Sequence, residues 1–163
     1  MRTVAFAMSM LAATAFPVLI ASAEEDHHEH VTEAGGLRII HPWARAARQG
    51  QNTLVFMEID NEAGEDVLES AETEAANVAR IVGVTFKDGI AATQEIGAID
   101  VPPGDFALDP AGLAIELVGL TETLEQGGEF ELEVHFRNAG ELHLHVDVEA
   151  ANATQHSHAG HSH

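Results

Sequence analysis

The strongest constraint in this sequence lies near its end, in EFELEVHFRNAGELHLHVDV, residues 129–148. Phe130, Leu132, Val134 and Phe136 alternate with Glu129, Glu131, Glu133 and His135. After a short interruption, Leu142, Leu144, Val146 and Val148 alternate with Glu141, His143, His145 and Asp147. A period of two is the signature of a strand with one buried and one solvated face. Two such runs around Asn138-Ala139-Gly140 read as a hairpin with a three-residue loop, the glycine taking the left-handed conformation. That register sets Phe136 opposite Leu142 and Val134 opposite Leu144, so apolar meets apolar. On the outer face it sets His135 across from His143 and Glu133 across from His145.

The rest of the central segment carries the same grammar. LRIIHPW, TLVFMEIDN, DVLESAE, NVARIVGVTF and LAIELVGL are short runs of apolar and β-branched residues, separated by Gly, Pro, Asn and Asp. Pro102-Pro103-Gly104 and Asp109-Pro110-Ala111-Gly112 are corners between shorter extended pieces. No long stretch shows helical periodicity. The expectation is an all-β fold, a two-sheet sandwich over residues 37–150.

The two ends differ from this centre. MRTVAFAMSMLAATAFPVLIASA has a basic residue at Arg2, an apolar stretch and an Ala21-Ser22-Ala23 ending, which reads as a secretory signal peptide over residues 1–23. Residues 24–36 form an acidic, histidine-bearing arm, and residues 151–163 form a second arm with little to bury; both are expected to be disordered, His-rich and flexible. With no cysteine anywhere, lipid attachment at the cleavage site, disulfides, thiolate catalysis and thiolate metal sites are all excluded. The expected location is secreted, in a periplasm, with no membrane association after cleavage.

Charge narrows the partners. There are 27 acidic residues against 7 basic ones, a formal charge of −20. Such a surface repels phosphate backbones, which argues against nucleic acid, and it concentrates cations. The serines beyond the leader, Ser70, Ser157 and Ser162, sit in no nucleophile context, tyrosine is missing and there is no glycine-rich phosphate loop, so an enzyme is not expected.

At HPWARAARQGQNTLVFMEIDNEAGEDVLESAE the pattern resembles the periplasmic copper chaperone family PCu(A)C. The resemblance continues through the Pro-Pro-Gly corner and the DPAG…GL run to RNAGELHLHVDV, covering almost all of residues 37–148. It implies a cupredoxin-like sandwich and a role in copper delivery toward cytochrome oxidase assembly. It also implies a Cu(I) site made of a His, a Met and a His-x-Met pair. Those positions fall on Ile81, Thr93, Ala114 and Glu116, none of which is a family ligand. No His lies between residues 42 and 134, and Met57 is the one methionine beyond the leader. Soft thioether coordination of Cu(I) therefore has almost nothing to draw on.

The histidines supply the alternative. Imidazole and carboxylate together suit Cu(II) or Zn(II). The candidate ligands are His27, His28 and His30 in the first arm and His156, His158, His161 and His163 in the second. His135, His143 and His145 on the hairpin, and His41 beside Pro42-Trp43, complete the set. Because histidine titrates near pH 6.5, capture of ions should weaken as pH falls through about 6. The expected function is a periplasmic copper-binding, chaperone-like protein handling Cu(II), or Zn(II), through its His-rich arms. The alternative is a metal-independent interaction module that assists copper-enzyme assembly.

Overall fold

The computed structural model describes residues 31–87 and 90–156, and every regular element among them is a strand. In chain order these are β1 (Val31–Ala34), β2 (Leu37–Arg45), β3 (Thr53–Asn61), β4 (Asp66–Glu72), β5 (Ala76–Lys87) and β6 (Ile90–Glu95). There follow β7 (Ile99–Val101), β8 (Gly104–Leu108), β9 (Leu113–Leu120), β10 (Glu129–Phe136) and β11 (Gly140–Glu149). All seven strands expected from the sequence are present. Four short ones join them: β7 and β8 flank the Pro102-Pro103 corner, β6 forms an edge, and β1 occupies residues expected to belong to the mobile first arm.

The strands form one hydrogen-bonded path, β6-β5-β9-β3-β2-β11-β10-β4-β7, with β1 on β2 and β8 on β3. Every pairing is antiparallel except β11 with β2. The path folds over on itself into two layers. Leu68 and Ala71 of β4, near one end of it, share a core with Ile81, Ile115 and Leu117 of β5 and β9, near the other. Val134, Leu142, Leu144 and Val146 of the final hairpin point into the same core, as their alternation requires. The expected sandwich is thus formed, by a sheet that doubles back.

A smaller apolar cluster lies on the opposite, outer face. Trp43, Phe56, Val82, Val84 and Ala114 are buried there. Phe56 falls between the inward-facing Val55 and Met57, and so must point outward. Trp43 packs on it with ring centroids 4.7 Å apart, and the Arg45 guanidinium sits 5.3 Å from the Phe56 centroid. Ala153 packs on this cluster, and its carbonyl accepts a 2.8 Å hydrogen bond from Arg45 Nε. Residues 151–156 of the second arm, expected to be flexible, therefore have an apolar seat on the sheet. The stretch read as a signal peptide, residues 1–23, and residues 24–30 and 157–163 lie outside the described residues.

The hairpin register differs from expectation by two residues. Phe136 pairs with Gly140, Val134 with Leu142 and Leu132 with Leu144. The loop is therefore Arg137-Asn138-Ala139, and Gly140, at φ +82°, takes the left-handed position at the head of β11. The reason lies across the sheet in β4. The buried Asp66 carboxylate accepts hydrogen bonds from the backbone N–H of Asn138 (2.9 Å) and Ala139 (3.0 Å). Those two amides need the tight turn. A shift of two preserves which side chains face in, so the core is unaffected.

Burial alone would raise the Asp66 pKa, but the N–H groups of Asn138, Val67 and Ala139, with the Arg137 charge, bring it below its ordinary value. A carboxylate with a depressed folded pKa stabilises the fold above its unfolded pKa, and that contribution is lost as pH falls. Asp66→Ala is expected to lower unfolding free energy by about 2 kcal/mol at pH 7. Urea denaturation should show this gap between the two proteins closing as pH falls below about 4.

Candidate metal centre

The outer face of β11 carries Glu141, His143, His145, Asp147 and Glu149 in alternating positions. Beside it, β10 presents Glu129, Glu131, Glu133 and His135. In the observed register His135 stands opposite Glu141, and His143 opposite Glu133. The two imidazoles are therefore diagonal neighbours and not directly opposite as expected. The consequence is a closed ring in which each histidine touches two carboxylates and each carboxylate touches two histidines. His135 Nε2 lies 2.9 Å from Glu133 Oε1, and its Nδ1 lies 4.0 Å from Glu141 Oε2. His143 Nδ1 lies 3.6 Å from Glu133 Oε2, and its Nε2 lies 3.0 Å from Glu141 Oε1.

Two overlapping sets of three donors follow from this ring. Glu133, Glu141 and His143 form one, and Glu72 of β4 with Glu133 and His135 forms the other, with donor atoms within 4.8 Å of one another in each. Two donors bound tetrahedrally to an ion at about 2.1 Å stand about 3.4 Å apart, so the imidazole–carboxylate pairs at 2.9–3.6 Å are near that separation, and any pair as far apart as 4.8 Å must close by about 1.4 Å. Glu133 belongs to both sets. His145 shares the face, opposite Glu131, and belongs to neither.

His41 and His156 meet at the far end of the same face. Their rings stack with centroids 5.2 Å apart and planes 12° from parallel. His41 sits where the β2–β3 register shifts, between Ile40 and Trp43. It is the one non-glycine residue among those described with positive φ, +47°. That conformation costs about 1–2 kcal/mol in a residue with a Cβ, and the bulge re-aims its side chain out of the strand's alternation. His156 is buried, with Nε2 3.1 Å from Asp147 Oδ2 and 3.6 Å from Glu149 Oε1. Burial pulls its pKa down, with a smaller push the same way from His41, against the hydrogen bond to Asp147 and the charges of both carboxylates, and the net shift is downward. A surface cavity of about 260 Å³ opens beside it, lined by Gln126, Gly127, Gly128 and the β11 carboxylates.

Neither Asp147 nor Glu149 stood out in the sequence, nor did Glu72 and Glu141. The signal for three of them was the β11 alternation itself, which places every second residue on one face. Glu72 needed the β4–β10 pairing, which no local pattern encodes. His27, His28 and His30, and His158, His161 and His163, lie outside the described residues.

The positions that the chaperone resemblance implied for a copper site hold a different arrangement. Ile81 points into the main core, away from the other three. Glu116 is buried on the outer face, where its Oε2 accepts from Arg80 Nε (2.8 Å) and lies 2.7 Å from Arg80 Nη2. Its Oε1 accepts from the Thr93 hydroxyl (3.2 Å) and Asn52 Nδ2 (3.4 Å). The Glu116 carboxylate in turn raises the Arg80 pKa. A satisfied ion pair thus fills the place, and Met57, the remaining thioether, is 2% exposed in the core.

An all-β, cupredoxin-like domain of the PCuAC type is what this strand path defines. The apo PCuAC domain from PmoF1 superposes with a TM-score of 0.62 at 27% identity, over 74% of this chain and 99% of that domain. The copper-bound PCuAC domain from PmoF2 gives 0.61 at 26% identity, over 74% and 98%. Apo-DR1885 from Deinococcus radiodurans, at 18% identity and TM-score 0.51, covers 92% of this chain and all of its own, and speaks for the fold alone. The family model described as "Putative lipoprotein LpqE-like" matches residues 37–148. The chain belongs to that LpqE-like family. No curated protein matches it significantly.

Glu116→Ala would leave Arg80, Thr93 and Asn52 around an emptied position. The expected outcome is a fall in melting temperature of about 5 °C with copper affinity unchanged. Thermal unfolding and calorimetric titration of the same preparation check both halves.

Proposed function

We propose that this is an exported copper-binding protein of the chaperone type, which takes up Cu(II) on the outer face of the β10–β11 hairpin. The observation that carries the reading is the Glu133–His135–Glu141–His143 ring. It brings two imidazoles and two carboxylates together on an acidic sheet face, with imidazole–carboxylate distances of 2.9–4.0 Å. Mixed nitrogen and oxygen donors suit Cu(II), which stands highest in the divalent affinity order, and Zn(II) after it. The copper-bound PmoF2 domain supports copper as the ion, since it shares this fold. Cargo bound at an exposed face exchanges readily, as reversible delivery requires, and the histidines of the two arms add capture capacity. The leader sequence and the family's lipoprotein description support export to a periplasm, although no cysteine is present to carry a lipid.

The test is titration of the full chain with Cu(II) and with Zn(II), beside the double variant His135→Asn/His143→Asn. Loss of both imidazoles should lower the affinity of the strongest site at least tenfold, with the melting temperature nearly unchanged. Equal affinity in the two proteins would move the site off the hairpin. Failure of the wild type to bind either ion would favour the metal-independent docking module.

A further inference from the structure

We propose that His41, Asp147, Glu149 and His156 form a second divalent-cation site, and that an ion held there clasps the C-terminal segment to the sheet. The site goes beyond the hairpin reading and does not rest on it.

Three elements supply its donors. Asp147 and Glu149 come from the outer face of β11, His41 from the β2 bulge, and His156 from the segment that follows β11. The Nε2 of His156 already stands 3.1 Å and 3.6 Å from the two carboxylates, which brackets the donor separation around an ion bound at about 2.1 Å. His41 lies one ring layer away, at 5.2 Å between centroids. The lone pairs of stacked imidazoles lie in separate parallel planes, so His41 joins the ion by turning about its Cα–Cβ bond. The adjoining cavity gives the ion a path from solvent.

The strained backbone of His41 is an independent observation pointing the same way. A non-glycine residue immediately before a proline has little reason to adopt φ +47° unless its side chain is wanted where the bulge directs it. The segment is also seated in advance. The bond from Arg45 to the Ala153 carbonyl and the contact of Ala153 with the Trp43–Phe56 cluster hold residues 150–156 across the sheet before any ion arrives. Binding therefore does not begin from a free tail, which reduces the ordering cost.

Amide hydrogen exchange on the full chain, with and without Zn(II), reads the clasp directly. Variants His41→Asn, His156→Asn and His135→Asn/His143→Asn separate the two sites; Asn is chosen at position 41 because it tolerates positive φ. Zn(II) should slow exchange of the amides of residues 150–156 at least tenfold in the wild type and in the hairpin double variant. In His41→Asn and His156→Asn the slowing should be absent, and each should bind one ion fewer than the wild type. Buried Trp43 emission verifies that each variant is folded. Zn(II) binding with unchanged exchange in residues 150–156 would overturn the clasp and leave the hairpin reading intact. Equal slowing in His41→Asn would overturn it as well. Absence of any Zn(II) and Cu(II) binding would overturn both readings.

Discussion

Successive side chains of a strand point to opposite faces, and on β11 that rule separates the chemistry of this molecule from its stability. Leu142, Leu144, Val146 and Val148 go inward to the main core. Glu141, His143, His145, Asp147 and Glu149 have no choice but to line the outer surface. The inward set cannot slip by one residue without exposing four apolar side chains, so the outward set is held in register by the core beneath it. Every histidine among the described residues lies on, or packs against, this one face. The metal readings proposed for the protein all depend on that fixed alternation.

Relative to the site implied by the copper chaperone resemblance, the chain shows a relocation of polarity across one sheet face. Where soft ligands would converge, Glu116 is neutralised by Arg80 and saturated by Thr93 and Asn52. A buried carboxylate with its partners in place has little capacity left for an ion, and an arginine alongside repels one. The imidazoles stand instead on β2, β10, β11 and the segment after it. The fold is that of the PCuAC domains, while the donor set proposed for this chain is imidazole and carboxylate where the resemblance implies thioether.

Much of this was legible in the sequence, and the reasons for the remainder are specific. The seven principal strands announce themselves through alternation or β-branched runs bounded by turn residues. Short β1 and β6 do not, since four to six residues with small or polar side chains carry too little period to read. The hairpin's faces were legible because parity survives a shift of two, whereas its exact pairing was not. That pairing depends on Asp66, 72 residues before Asn138 and visible only once β4 lies beside β10. The same distinction governs the site. His135, His143 and Glu133 belong to a local hairpin and could be anticipated together. The meeting of His41 with His156 joins residues from opposite ends of the domain and depends on the β2–β11 pairing.

That pairing has one more consequence. Because β11 runs parallel to β2, and β1 folds back on β2 with Val31 opposite Ile40, the described chain begins beside the residue before His41 and ends on His41 itself. Both histidine-bearing arms are therefore tethered at one point on the molecule. Tethers with a common origin see each other at an effective concentration in the millimolar range for short flexible segments, whatever the protein concentration outside. On the proposed reading, an ion taken by one arm would lie in the neighbourhood of the other arm and of the sheet at once, and two modest affinities would act as a single larger one.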